Sequence, residues 1–145
     1  MSDSITTTIE VVLDEGAIMP TRAHEHDAGL DLYTPFFAMV PPHGRCVIDT
    51  GVHAAIPTGY VGKLESKSGL MRNSGITCRG TIDSGYTGTI QAVIFNHSDM
   101  AYTFEAGDKV TQMVIYPIIT PTPIRVDTLQ KTNRGDNGFG STGVK

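Results

Sequence analysis

The 145-residue sequence lacks several features that define other classes of protein. It contains no apolar run near the ~18 residues that a membrane-spanning helix requires, so we expect no membrane partner. It has no basic excess: 11 Lys and Arg against 15 Asp and Glu give a net charge of −4. General attraction to a nucleic-acid backbone is therefore not expected, and any binding of anions must be local. The first residues resemble no secretory signal, which predicts a cytoplasmic location.

Cysteine is also scarce. Cys46 and Cys78 stand far apart and outside any CxxC spacing, which predicts two free thiols and no disulfide or thiolate metal site. None of the five histidines has a convincing ligand spacing for zinc.

Glycine and proline are abundant, with 16 and 8 residues. Without a collagen-like period, this content indicates many turns and short elements and disfavours a helical bundle. Short apolar stretches between turn signals predict strands at residues 8–13, 29–33, 36–40, 46–49, 52–56, 60–65, 88–95, 102–105 and 110–119. This spacing is typical of an all-β sandwich or barrel. One short helix is predicted at residues 68–73, with Ser68 as its cap and Gly75 after its end.

Both faces of the strand near residue 92 are apolar. Ile90, Ala92 and Ile94 share one face, and Val93 and Phe95 share the other. This pattern predicts either a central strand or burial against a partner subunit.

The end of the chain has a different composition. Apolar residues become rare after Asp127, and residues 133–143 are polar and glycine-rich. We therefore predict a β core over residues 1–127 and a flexible C-terminal arm over residues 128–145. Phe139, between two glycines, is a candidate stacking group on that arm.

Four glycine-containing segments carry candidate functional residues. Asp31 alternates with leucines, so it is either a surface residue of an edge strand or a carboxylate that is paired, hydrated or near a metal. Lys67 and Ser68 begin the predicted helix, which is either an anion site or simply a capped helix. In residues 80–88, Asp83 could be a general base and Tyr86 could offer a flat face to a ligand, or the segment is an ordinary hairpin turn. Gln112 needs hydrogen-bond partners from the protein or from a ligand.

The order and spacing of these segments resemble the trimeric dUTP pyrophosphatase (dUTPase) family. All five motifs of that family occur in the family's order, at residues 27–32, 67–70, 80–88, 107–112 and 134–143. The most specific are Gly80-x-Ile82-Asp83-x-x-Tyr86-x-Gly88 and the Gly-rich stretch from Arg134 to Gly143.

This resemblance implies a fold and an activity. The fold would be an all-β, distorted jelly-roll-like β-barrel with one short helix, assembled as a homotrimer whose C-terminal arms close over shared active sites. The activity would be hydrolysis of dUTP to dUMP and pyrophosphate with Mg²⁺, which keeps uracil out of DNA and supplies dUMP for dTMP synthesis.

The resemblance also implies residue roles. Asp83 would activate water for attack on the α-phosphorus. Uracil and deoxyribose would be bound by Gly80, Ile82, Tyr86 and Phe139. Phosphates would be bound by Lys67, Ser68, Gly69, Gln112, Arg134, Gly140, Ser141 and Thr142. Asp31 would contact Mg²⁺ indirectly, through water.

The motifs depart from the family pattern at two places. Lys67 stands where arginine is usual and so lacks a bidentate fork, and Lys109-Val110-Thr111 replaces a common Arg-Ile-Ala. Two other functions stay open: a dCTP deaminase, whose catalytic glutamate would fall at Val93, and a non-catalytic, nucleotide-sensing regulatory trimer. A regulatory protein partner is also considered.

Overall fold

The computed structural model describes residues 8–140 and 142–143 and is almost entirely β. Its short apolar stretches form strands of three to nine residues, separated by turns rich in glycine, proline and aspartate. The elements are β1 (Val11–Leu13), β2 (Gly29–Tyr33), β3 (Ala38–Val40), β4 (Arg45–Asp49), β5 (Val52–Ala54), β6 (Tyr60–Glu65), α1 (Ser68–Ser74), β7 (Ile76–Cys78), β8 (Gly80–Asp83), β9 (Gln91–Asn96), β10 (Tyr102–Phe104) and β11 (Lys109–Pro117).

The strands form four antiparallel sheets. The largest has the order β2-β11-β6-β8, and a second has the order β4-β9-β7. Two-stranded sheets join β1 to β5 and β3 to β10. The inward faces enclose one core that includes Leu32, Ile48, Ile94, Phe104 and Met113, each at most 1% exposed.

The all-β class is confirmed, but the described residues do not form a closed barrel. Their hydrogen bonding is divided among four sheets, because turns and bulges interrupt the ladders between them. The strands nevertheless surround a single core, as a distorted jelly roll does.

The positions of most strands are predicted well by the sequence. β2 and β6 have the predicted bounds, and seven other strands differ only at their ends. β9 is the central strand of its sheet, with Ile94 buried and Phe95 39% exposed, so its outer apolar face has no cover within the chain.

The prediction of a hairpin over residues 80–88 is wrong. β8 pairs with β6 in one sheet, whereas β9 pairs with β4 and β7 in another. The glycine-rich segment therefore connects two sheets. β7 was also not predicted, because a three-residue strand carries little periodic signal.

Helix α1 begins and ends close to the predicted residues, but its cap differs. Lys67 is the N-cap and makes no side-chain capping bond, so Ser68 is the first helical residue and not the cap. Gly75 ends the helix in the left-handed conformation, with φ 68°, as predicted.

Regular structure ends at Pro117, and residues 118–140 are exposed and outside any helix or strand. Cys46 and Cys78 are free thiols, as predicted. In the described part of the chain, no helix has the length and apolarity needed to cross a membrane.

Candidate active site

Three predicted site residues lie together at the end of β8. Ile82, Asp83 and Tyr86 line a hollow of about 330 Å³ with Thr89 and Gln91. Ile82 faces the core at 8% exposure, whereas Asp83 is exposed. The alternation of a β-strand thus anchors the segment through Ile82 and turns the Asp83 carboxylate towards solvent.

A tight turn after Asp83 sets the position of Tyr86. The Tyr86 N–H donates to the Asp83 carbonyl at 3.2 Å, and Gly85 adopts φ 90°, which favours glycine. The Tyr86 hydroxyl donates to the Thr89 carbonyl at 2.8 Å. A Cβ atom at Gly88 would lie 2.5 Å from the Tyr86 hydroxyl oxygen, so only glycine leaves room for the ring there.

The backbone of β8 is available on one side. In the sheet order β2-β11-β6-β8, this strand lies at an edge, with its other side paired to β6. The outward N–H and C=O groups of an edge strand can pair with another strand or a ligand. The predicted residues Gly80 and Ile82 therefore lie where backbone recognition of a planar polar ring is feasible.

A second hollow, of about 400 Å³, contains the cationic residues. It is lined by Lys67, Gly69, Leu70, Tyr102, Asp108 and Lys109. Asp31 lies beside it on the edge strand β2, and its side chain is only 4% exposed. Its carboxylate accepts a hydrogen bond from Lys67 and forms an ion pair with Lys109, whose Nζ is 3.1 Å from Oδ2. Asp31 is therefore a buried, paired carboxylate and not a surface residue.

The charge of Asp31 is stabilised by these two lysines. Burial alone would raise the pKa of the carboxyl, but the hydrogen bonds and charges of Lys67 and Lys109 outweigh burial and lower the pKa below its ordinary value. The same contact raises the pKa of Lys109. Lys67 and Lys109 thus share the Asp31 carboxylate, and Asp108 lines the same hollow, so two cations and two carboxylates lie together there.

A β-bulge accounts for the position of Lys109. The register of β11 against β2 shifts between Lys109 and Thr111, so the consecutive residues Val110 and Thr111 are both buried. The Thr111 hydroxyl donates to the Glu65 carbonyl at 2.7 Å. These contacts fix the start of β11, where Lys109 can reach Asp31.

Gln112 is held between β2 and the segment after β6. Its side-chain amide donates to the Ser66 carbonyl at 3.0 Å. A Cβ atom at Gly29 would overlap the Gln112 side chain, so glycine at this position makes room for the glutamine. The Gln112 amide thereby lies beside the residue that precedes Lys67.

The two hollows lie towards opposite ends of β6. Asp83 is the register partner of Val61, whereas Lys67 comes two residues after Glu65 at the end of the strand. At about 3.3 Å per residue, Val61 and Glu65 are about 13 Å apart. The structure therefore does not bring Asp83 and Lys67 of one chain into a common pocket.

The predicted arm residues lie beyond the last strand. Arg134 donates to the Asn137 carbonyl at 2.8 Å, within the arm itself. Phe139 is fully exposed, and Gly140 and Thr142 are exposed as well. Ser141 lies outside the described residues. The structure does not bring the described arm residues to either hollow of the same chain.

The donor set fits Mg²⁺ only as an outer contact. Among residues 8–140 and 142–143, no group of three His, Cys, Asp or Glu side chains could enclose a metal ion. Mg²⁺ commonly keeps several waters and binds one or two carboxylates together with substrate phosphates. Both carboxylate oxygens of Asp31 are paired with lysines, so Asp31 could contact an ion that arrives with a polyphosphate only through water.

Two contributions to the site were not predicted from the sequence. Lys109 was noticed only as a replacement for arginine, and its pairing with Asp31 joins residues far apart in the chain. The packing of Gly29 against Gln112 depends on the register of β2 and β11. A paired carboxylate in an apolar strand was the only sequence signal that could have led to Lys109.

Comparison with known proteins identifies the family of the chain. The dUTPase family model matches residues 15–143. The chain is 42% identical over 134 residues to the mitochondrial deoxyuridine 5'-triphosphate nucleotidohydrolase of Dictyostelium discoideum, covering 92% of this chain and 75% of that protein.

Two phage proteins are similar in structure. The dUTPase of Staphylococcus bacteriophage 80alpha with dUPNHPP has a TM-score of 0.90 and 33% identity, covering 96% of this chain and 100% of that one. A mutant dUTPase from phage phi11 of S. aureus, described as revealing the coordination of a structural Mg(II) ion, has a TM-score of 0.78 and 32% identity, covering 83% and 97%. Because the family model spans most of the sequence and these relatives are 32–42% identical to the chain, the chain belongs to the dUTPase family.

Proposed function

We propose that the protein hydrolyses dUTP to dUMP and pyrophosphate, which keeps uracil out of DNA and supplies dUMP for dTMP synthesis. The observation that carries this proposal is the exposed Asp83 carboxylate beside Tyr86, at the edge of β8, in a chain of the dUTPase family. A protein that only binds nucleotides has no need of a base at this position.

Asp83 serves as the general base. It accepts a proton from a water molecule whose oxygen attacks the α-phosphorus. The bond from the α-phosphorus to the bridging oxygen breaks, and the pyrophosphate leaves with that oxygen. A polyphosphate repels an anionic nucleophile, so the reaction depends on orienting the water and offsetting the negative charge.

The end of β8 selects the nucleoside. The edge backbone at Gly80 and Ile82 pairs with the polar edge of uracil, a contact that cytosine cannot match in donors and acceptors and that leaves no room for the thymine methyl group. The Tyr86 ring packs under the deoxyribose and excludes a 2′-hydroxyl. Phe139 stacks on uracil from the arm, which its full exposure permits.

The triphosphate is bound by the hollow that contains Lys67 and by the arm. Lys67, Ser68 and Gly69 hold phosphate oxygens, and Gln112 contacts the region of the α-phosphate. Arg134, Gly140, Ser141 and Thr142 engage the γ-phosphate end when the arm closes. Magnesium, when bound, neutralises phosphate charge and orients the chain of phosphates. Asp31 would contact its water shell, and the phage relative described with a structural Mg(II) ion supports magnesium as the metal.

The active site is shared between subunits of a homotrimer. Support comes from the position of Asp83 and Lys67 near opposite ends of β6, where they line separate hollows of one chain. The outer face of the β4-β9-β7 sheet supplies an apolar surface for assembly, with Val47 55% and Phe95 39% exposed. A buried apolar surface of this kind stabilises obligate oligomers.

The domain division, the location and any protein partner stay predictions. The core of residues 1–127 would carry the two hollows, and the arm of residues 128–145 would carry the last motif. A cytoplasmic location is not settled by the relatives, since one of them is named as mitochondrial. A regulatory protein partner has no supporting observation.

An assay of pyrophosphate release tests the proposed function. With Mg²⁺, the protein should release pyrophosphate from dUTP and far less from dCTP, dTTP or UTP. Ammonia from dCTP would instead support a deaminase, which the apolar, half-buried Val93 disfavours. Binding of dUTP without any release would support the nucleotide-sensing trimer and contradict the enzyme.

A further inference from the structure

His53 lies behind the loop that carries Tyr86. It belongs to β5, where it pairs with Val12 of β1. Its Nδ1 is 2.7 Å from the Thr87 carbonyl oxygen, and its Nε2 is 2.8 Å from Oδ1 of Asp14. One imidazole ring therefore joins β5, the residue after β1 and the loop at residues 84–88.

The chemistry of these two partners determines the protonation of the ring. A carbonyl oxygen and a carboxylate oxygen both accept hydrogen bonds, so both ring nitrogens must donate. Only the imidazolium form carries a proton on each nitrogen. A neutral ring would leave one of the two short contacts without a hydrogen.

The surroundings favour this cation. Asp14 and Asp49 act on the ring with their negative charges. His53 also lines a hollow of about 490 Å³, together with Glu10. Tyr86 is the other titratable group that lines it. The hydrogen bonds to Thr87 and Asp14 raise the pKa of His53 above its ordinary value of 6.5. Burial opposes this rise, and the negative charges of Asp14 and Asp49 add to it.

The contact matters because the loop has few others. Within residues 84–88, the remaining hydrogen bonds run to Asp83 and Thr89, next to the loop itself. In the described part of the chain, the bond from His53 to Thr87 is the one that joins this loop to another element. The neighbouring Ile90 is tied to Val52 by its backbone, so the loop is anchored at that end and by His53.

We propose that His53 is a positioning residue: as an imidazolium it donates one hydrogen bond to Asp14 and one to Thr87, and so fixes the loop that places Tyr86 against the nucleotide. This inference rests on the proposed function for its effect on substrate, although the contact itself does not. His53 touches no reacting atom.

The pH dependence follows from the raised pKa. The contact is complete below the ordinary pKa of His53 and is lost as the pH rises through the raised pKa of the folded chain. The loop should therefore loosen on the alkaline side, and KM for dUTP should rise while kcat changes little.

Ring NMR of the free chain tests the contact without any nucleotide. The His53 ring should titrate above 6.5, and the amide signals of Gly85 and Tyr86 should move with the same midpoint. Asp14→Asn should lower that midpoint towards 6.5, because the amide removes the carboxylate charge. A His53 midpoint at or below 6.5 would overturn the proposal, whatever the protein does with dUTP.

Steady-state kinetics test the consequence. His53→Gln should raise KM for dUTP roughly fivefold at neutral pH, the effect of one lost hydrogen bond, and should abolish the further alkaline rise of KM. The matched control is His97→Gln, since His97 is exposed and contacts Thr77 on the other sheet. It should keep the wild-type profile. A profile of KM against pH for His53→Gln that is identical to wild type would refute the positioning role. Inactivity of the wild type towards dUTP would instead contradict the proposed function, and the NMR titration would then decide whether the contact exists.

Discussion

Replacing Asp31 by asparagine tests how much the ion pairs beside β2 stabilise the fold. The carboxylate is 4% exposed in its side chain and accepts from Lys67 and Lys109. Asparagine keeps the size and one acceptor oxygen but removes the charge, so two cations are left next to each other without their shared anion. Each charged hydrogen bond contributes about 1.5–3 kcal/mol.

The expected loss is smaller than the sum of the two bonds. The lysine side chains are 27% and 43% exposed, so both ammonium groups can turn towards water. We therefore expect Asp31→Asn to lower the free energy of unfolding by about 2 kcal/mol. For a chain of this size, that loss lowers the thermal midpoint by about 4–8 °C. Calorimetry at matched protein concentration measures the change, since oligomers have concentration-dependent midpoints.

The pH dependence of this difference has a definite direction. The pKa of Asp31 is held below its ordinary 3.8, so its stabilisation is present above pH 3.8 and is lost as the pH falls through the lowered pKa. The gap in the free energy of unfolding between wild type and Asp31→Asn should be constant near neutral pH and should close in acid. Asp99→Asn is the control, because that exposed carboxylate pairs with His43 at the surface. A gap below ~0.5 kcal/mol at neutral pH, or one that does not change in acid, would refute the reasoning.

One further substitution tests the packing of Gln112, and a truncation tests the role of the arm. Gly29→Ala should lower the free energy of unfolding by about 1–3 kcal/mol in urea titrations, because the added Cβ overlaps the Gln112 side chain. The control Gly69→Ala should not lower it, because a Cβ there meets nothing within 4 Å. Equal losses of stability in the two variants would contradict the packing of Gln112 against Gly29. Truncation after Asn133 should leave a folded oligomer by size-exclusion chromatography with very low dUTP turnover, because Arg134 and Phe139 are lost; normal turnover would show that the arm is dispensable.

Local patterns were enough to predict much of the fold. Alternating apolar residues bounded by turn chemistry predict β2 and β6 with their observed ends. The segment at residues 80–88 was misread because its glycines and the Asp-Ser-Gly-Tyr turn are also typical of a hairpin. The pairing of β8 with β6 depends on the packing of Ile82 in the core, which a local sequence pattern does not indicate.

The candidate site divides in the same way. Asp83, Tyr86 and Gln112 are candidates from the sequence because their motifs are contiguous, and their roles stay predictions. The sharing of Asp31 between Lys67 and Lys109 could not be predicted, because tertiary structure brings together the middle of β2, the N-cap of α1 and the start of β11. The contact of Asp14, His53 and Thr87 is of the same kind, and none of these three residues lies in a periodic pattern that indicates the others.

The most direct test of the account is the fate of solvent oxygen during dUTP hydrolysis in ¹⁸O-labelled water. Attack on the α-phosphorus by water activated at Asp83 predicts one ¹⁸O atom in the phosphate of dUMP and none in pyrophosphate. Asp83→Asn should still bind dUTP but release neither product at a comparable rate. Label in pyrophosphate, or undiminished turnover by Asp83→Asn, would contradict the central claim.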